Sequence, residues 1–251
     1  MLVDIHNHIL PGFDDGPKSE IESIQLIGNS VNNGVTHIIT TPHHRDGVFN
    51  QDVGEIKNSI EIMNSLLTER EIPVTILPGM EVHLHGELIE EIESSTLTLA
   101  DSHKYVLIEF PTHYIPHFTD SIFYELQLKG YIPVIAHAEM NIELRRHPKI
   151  LFDLVHKGAL VQVTAGSVTG ANGRDLQRFV LKLCKHHIVH FIASDAHNVF
   201  KRPFLIQEAY RVILQKFGKD MVCYFQQNAI HVVEGLEFQT NPPTILEKMK
   251  T

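Results

Sequence analysis

The chain has 251 residues, 43% hydrophobic and 20% charged, an ordinary composition for a globular protein and a length that can bury a sizeable core. Its formal charge of -9 argues against tight general binding to nucleic acid, an affinity carried by Lys and Arg on phosphates. No stretch approaches eighteen consecutive apolar residues and the N-terminus lacks a basic-then-apolar leader, so a cytoplasmic protein without membrane insertion is expected. Cys184 and Cys223 have no partner at CxxC spacing, which excludes a thiolate zinc site, and no arginine six residues on, which excludes cysteine-dependent phosphoester chemistry.

In chain order, Leu2, Val3 and Ile5 read as a short buried strand ending at His6-Asn7-His8. Residues two apart in an extended backbone share a face, so both imidazoles can address one ion. The Pro11-Gly12-Phe13 turn then delivers Asp14 and Asp15. Ser19-Glu20-Ile21-Glu22 is a capping-box start for a helix, with Ile21, Ile24, Ile27 and Val31 at helical spacing up to Asn33-Gly34. Residues 36–41 predict a second strand, followed at once by Pro42-His43-His44. A helix over 52–70 leads to a third strand over 74–77, ending in Pro78-Gly79-Met80-Glu81.

A short helix over 87–93 precedes a fourth strand over 105–108, which ends at Glu109-Phe110-Pro111. A helix over 119–129 leads to a fifth strand, 132–136, ending at His137. A helix over 142–157 leads to a sixth, 160–163, ending at Thr164-Ala165-Gly166. After a helix over 174–187, a seventh strand, 189–193, ends at Ser194-Asp195-Ala196-His197. Helices over 203–217 and 220–228 complete a single domain, 1–239, and residues 240–251 read as a solvated tail. Seven β-branched runs alternating with helices indicate an α/β chain with a parallel sheet, open or closed, and a barrel of seven strands is preferred. Loops after the strand C-termini then meet on one rim.

An HxH pair alone is a weak signal in a chain with 18 histidines. Position strengthens it, because six of the seven expected strands end in a ligand for a hard or borderline cation. These are His6 and His8, with Asp14 in the next loop; His43; Glu81; Glu109; His137; and Asp195 with His197. Other histidines, such as His37, His103, His156 and His187, fall within helices, strands or surface turns. Four carboxylates gathered without cations would repel and be costly to desolvate. Five imidazoles with four carboxylates suffice for three divalent ions with open positions, and three ions against four carboxylates leave about +2 for a phosphate dianion. Oxygen and nitrogen ligands without thiolate fit Mn, Fe or Zn.

These motifs resemble the PHP (polymerase and histidinol phosphatase) superfamily of metal-dependent phosphoesterases. The shared pattern is His6-Asn7-His8, Thr41-Pro42-His43, Gly79-Met80-Glu81, His137 and Asp195-Ala196-His197. More narrowly, DIHNHILPGFDDG, the strand-end EFP and SDAHN look like the CpsB/CapC-type bacterial tyrosine-protein phosphatases of capsule and exopolysaccharide loci, over residues 1 to about 238.

The resemblance implies a distorted (β/α)7 barrel with His6, His8, Glu81 and Asp195 on one ion. Glu81, Glu109 and His137 would hold a second, and Asp14, His43 and His197 a third, with Mn favoured over Fe or Zn. It further implies hydrolysis of phosphotyrosine on a cognate bacterial tyrosine kinase, at the kinase's C-terminal tyrosine cluster, and so control of polysaccharide assembly. Arg202 matches a family arginine that contacts phosphate, and His43 and His197 stand beside it for catalysis. The chain departs from the family at His137-Ala138-Glu139-Met140, where HPERY is common, so one phosphate-binding arginine is missing. Arg45, Arg145 and Arg146 are the candidates to substitute for it, against a reading as solvated charges. The same nine ligands would serve a phosphatase of a small metabolite such as histidinol phosphate, and a noncatalytic metal-stabilised binding protein is the reading from another class.

Overall fold

The computed structural model describes residues 1–245. Its chain starts with β1 (Val3–Asp4), α1 (Glu20–Asn32), β2 (His37–Ile39), β3 (His43–His44), α2 (Val53–Glu69), β4 (Thr75–Leu77) and β5 (Glu81–His83). It continues with α3 (Leu88–Glu91), β6 (Tyr105–Glu109), α4 (Thr119–Leu128), β7 (Ile132–Ile135), α5 (Ile142–Arg146), α6 (Pro148–His156) and β8 (Leu160–Thr164). Last come α7 (Ala165–Thr169), α8 (Arg174–Lys185), β9 (Phe191–Ala193), α9 (Ile206–Phe217) and α10 (Lys219–Glu234).

Every strand pairing is parallel, in the orders β1-β2-β4 and β3-β5-β6-β7-β8-β9. The first and last strands meet through the Asn7–Ala196 bridge, where His8 N donates to Ala196 O (2.9 Å) and Asp195 N to His6 O (2.9 Å). The result is a curled parallel sheet wrapped by helices in one α/β domain.

Proline explains where the strands differ from expectation. The predicted second strand stops at Ile39, and the chain resumes as β3 after Pro42, whose missing N–H would break a ladder. The third strand likewise splits around Pro78-Gly79 into β4 and β5. His43 and Glu81 therefore open strands rather than follow them, and they pair directly in register. Gly79 allows this, since a Cβ there would lie 2.9 Å from Ile39 Cγ2 and 3.1 Å from Thr40 O. The helix expected over 142–157 breaks before Pro148, which pushes His147 out of the helical region (φ -128°, ψ 64°).

Two apolar layers follow from the two-residue period of strands. In β6, Val106 and Ile108 face the outer helices, while Tyr105 and Leu107 face the interior with Val134, Leu160, Phe191 and Ala193. At the other end of the chain, Thr244 N donates to His186 O (3.0 Å), so residues 240–245 carry a contact where only solvation was expected. Residues 246–251 of that expected tail lie outside the described residues.

Candidate metal centre

The interior alternation places the site. Continuing the inward faces of β6, β8 and β9 past Leu107, Leu160 and Ala193 reaches Glu109, Gln162 and Asp195. The register of β3 with β5 brings in His43 and Glu81. His137 and Asp195 hold left-handed backbones, φ 27° and 53°, uncommon for residues with side chains, so the surrounding structure fixes both turns.

Four side-chain atoms form the first group. His6 Nε2 lies 3.3 Å from His8 Nε2, 3.3 Å from Glu81 Oε2 and 3.6 Å from Asp195 Oδ1. His8 Nε2 lies 3.4 Å from the same Glu81 oxygen and 3.6 Å from the same Asp195 oxygen. Glu81 Oε2 and Asp195 Oδ1 are buried and accept no hydrogen bond. His6 Nε2, His8 Nε2 and Glu81 Oε2 lie close enough together to share one cation, with Asp195 Oδ1 beside both nitrogens. Orphaned buried acceptors are costly, and this donor set fits a cation.

Two further groups adjoin the first. Glu81 reaches His137 Nε2 with Oε1 (2.7 Å), and Glu109 lies 3.6 Å from the same nitrogen. His43 Nδ1 stands 3.0 Å from Glu81 and 3.9 Å from Glu109, while its Nε2 faces Asp15 Oδ1 at 3.5 Å. His197 Nε2 is 3.0 Å from that Asp15 oxygen. His8, Asp15, His43 and His197 thus make the third ligand-capable group, and His43 belongs to both neighbours.

Asp15, to which the sequence assigns no role, is the carboxylate that gathers with His8, His43 and His197. The Asp14 carboxylate is turned inward instead: Oδ2 faces His8 Nδ1 (2.6 Å) and accepts from His43 N (3.1 Å), and Oδ1 accepts from Gly16 N (2.9 Å). It thus stands against the imidazole of His8 and the backbone of His43. Gln162 was likewise unforeseen. Its Oε1 meets both His6 Nδ1 (3.0 Å) and His137 N (2.8 Å), linking a ligand of the first group to one of the second. His197 Nδ1 lies 3.0 Å from Asp195 O. In His6, His8 and His197, the partner at Nδ1 favours the tautomer that leaves Nε2 bare for a cation. A further buried group behind the site is Glu139, whose Oε1 accepts from Thr164 N and Oγ1, both at 2.8 Å, tying the turn after His137 to β8.

Without a cation, His8, His43 and His137 hold protons against the carboxylates, whereas burial holds His197 below its ordinary value. Burial opposes charge on His8, but Asp14 outweighs it and raises the imidazole to about 9; Glu81 does the same for His137, to about 10. Burial also opposes charge on His43, which Asp15 and Glu81 raise to about 12. For Glu81, burial favours the neutral acid, yet His6 and His137 hold it well below the usual carboxylate range. Cation binding here displaces protons.

Arg202 Nη2 donates to Asp195 Oδ2 (2.7 Å) and Nη1 lies 3.6 Å from Asp15, so the guanidinium stands at the rim with its side chain 43% exposed. Neither Arg45 nor Arg145 is a free substitute for the absent family arginine. Arg45 pairs with Glu91, and Arg145 Nη1 donates to the carbonyls of Glu139 (2.8 Å) and Met140 (3.1 Å).

The family model for capsular polysaccharide synthesis, CpsB/CapC, matches residues 2–234. The tyrosine-protein phosphatase YwqE of Bacillus subtilis is 39% identical over 249 residues, covering 99% of this chain and 98% of its own. A crystal structure from a study of YwqE and of CpsB from Streptococcus pneumoniae, described as unique metal-dependent tyrosine phosphatases, matches with TM-score 0.96. That match is 40% identical and covers 98% of this chain and 100% of the other. A histidinol phosphate phosphatase from Lactococcus lactis, solved with zinc, L-histidinol and phosphate, is 17% identical with TM-score 0.58, covering 87% of this chain and 94% of its own; that likeness extends to the fold alone.

Proposed function

Because this chain belongs to the CpsB/CapC family, we propose that it is a metal-dependent protein tyrosine phosphatase of a capsule or exopolysaccharide system. Its substrate on this reading is a tyrosine-phosphorylated bacterial tyrosine kinase, at that kinase's C-terminal tyrosine cluster, and its action regulates polysaccharide assembly in the cytoplasm. No helix among the described residues is long and apolar enough to cross a membrane. We take the curled sheet as a distorted seven-stranded barrel, reading β2 with β3 and β4 with β5 as two interrupted strands. Residues 1–239 form the phosphatase domain in this proposal.

One observation carries it: buried, unbonded carboxylate oxygens of Glu81 and Asp195 stand 3.3–3.6 Å from the Nε2 atoms of His6 and His8. Three divalent ions, Mn before Fe or Zn, are assigned to His6, His8, Glu81 and Asp195; to Glu81, Glu109 and His137; and to Asp15, His43 and His197, with Asp14 behind His8. When bound, such ions supply Lewis acidity and a water deprotonated near neutral pH.

The chain's own groups do the remainder. Arg202, pinned by Asp195 and Asp15, presents its free N–H edges to phosphate oxygens, a geometry that suits the planar fork of arginine. Glu81 holds neighbouring groups at a fixed separation, and Gln162 fixes His6 relative to His137. The departing tyrosinate has a pKa near 10 and needs little protonic help.

The test is phosphate release from a tyrosine-phosphorylated peptide beside histidinol phosphate, each with added Mn and with chelator. Preference for the peptide, lost on chelation, supports the proposal. Preference for histidinol phosphate moves the same site to a metabolite, and turnover of neither leaves a binding protein.

A further inference from the structure

Beside the metal centre, a groove of about 330 Å³ runs between the segment after β9 and the start of α1. Asp15 and His197 form its inner wall, so it opens directly from the third ligand group; Pro17, Val199 and Phe200 supply apolar surface further out. Phe200 is 90% exposed, the most exposed of the large apolar side chains described. Exposure of a whole aromatic ring forgoes the free energy of burial, and this ring lines the groove together with Pro17 and Val199 rather than standing alone.

The loop is rigid. Asn198 Oδ1 accepts from Phe200 N (3.1 Å), Lys201 N (2.7 Å) and Arg202 N (3.4 Å). Arg202 O in turn accepts from His197 N (2.9 Å) and Asn198 N (3.3 Å), closing the loop on itself. One tight turn therefore fixes three things together: His197 at the ligand cluster, Arg202 at the rim and Phe200 at the mouth of the groove.

We propose that this groove seats the aryl ring of phosphotyrosine, with Phe200 and Val199 as its specificity-determining wall. The inference rests on the phosphatase reading above and deepens it. A phosphoester held between Arg202 and the ligand cluster carries its ester oxygen outward, and the ring is the first group bonded to that oxygen. The groove begins at the same two residues, Asp15 and His197, and Pro17, Val199 and Phe200 give it apolar surface beside the polar Glu22, Gln25 and Asn198. An alkyl phosphate has nothing to place there, so the groove favours aryl over alkyl esters with no added charge.

The metal-loaded enzyme and its Phe200→Ala and Phe200→Leu variants are compared on three substrates: phenyl phosphate, a phosphotyrosyl peptide and glycerol phosphate. Phe200→Ala is expected to lower the aryl-to-alkyl ratio of kcat/KM about tenfold, equally for phenyl phosphate and peptide, and Phe200→Leu to restore part of it. Calorimetry adds a reading independent of turnover: preference for phenylphosphonate over methylphosphonate falls by the same factor. Equal losses on all three substrates, or a loss on the peptide alone, overturns the inference while leaving the phosphatase reading intact. A wild-type enzyme inactive on both aryl substrates overturns the phosphatase reading and this inference with it.

Discussion

His190 stands just before β9, at the end of that strand opposite Asp195, and is fully buried. Its Nδ1 accepts from Val161 N (3.0 Å), which places the ring proton on Nε2, and burial pushes the imidazolium down to about 3. The unfolded chain, with an ordinary histidine near 6.5, takes up that proton first. Stability from this group is therefore complete above pH 6.5 and declines as pH falls toward 3, by about 1.4 kcal/mol per unit inside that window. Between pH 7 and pH 5 the loss comes to about 2 kcal/mol, a drop in Tm of about 4–8 °C for a chain of this size. In His190→Asn, an amide oxygen can still accept the Val161 N–H but does not titrate. Urea unfolding of both proteins in chelator, at several pH values from 7.5 to 5, subtracts the titration of the ligand histidines common to both. The wild type should lose about 2 kcal/mol more than the variant; equal pH slopes for the two would refute the assignment of acid sensitivity to His190.

Replacing Gln162 by Leu removes the shared acceptor of His6 and His137, and apparent metal affinity by equilibrium dialysis should fall about 10- to 100-fold, with an unchanged affinity counting against the role given to Gln162. Asp15→Asn should reduce the metal content per chain by one equivalent in elemental analysis; full retention would return the third ligand position to Asp14. Gly16→Ala puts a Cβ 2.4 Å from the His8 carbonyl oxygen, so thermal unfolding should show a loss of about 1–3 kcal/mol as the Asp14–Asp15 loop shifts.

The ligand types were legible because each stands at a change of backbone pattern: an apolar run stops and a histidine or carboxylate begins, as at Glu109 after Val106-Leu107-Ile108. Asp14 and Asp15 were not separable that way. Both leave the same turn, and only the packed loop shows that one meets Gly16 N and His43 N while the other reaches His197. Gln162 was hidden for the opposite reason. Within Leu160-Val161-Gln162-Val163-Thr164 it looks like an ordinary strand position, and its one signal was a polar residue on the inward face. The interruption of strands at Pro42 and Pro78 carried a sequence cue, yet whether pairing resumes beyond a proline depends on the neighbouring strand, which the local sequence does not contain.

The joining of the two ends of the sheet bears on how this protein comes into being. Ser194 Oγ reaches Asp4 across 190 residues of chain, and the ligand pairs at positions 6 and 8 and at 195 and 197 face each other over the same interval. A ribosome must have released nearly four-fifths of the polypeptide before the first ligand group can assemble. Until then the first group lacks Asp195 and the third lacks His197. Contacts so distant in sequence form slowly, and a cation held by both ends acts as a late clasp against their separation. Loss of such a cation should loosen first the seam where Asn7 meets Ala196.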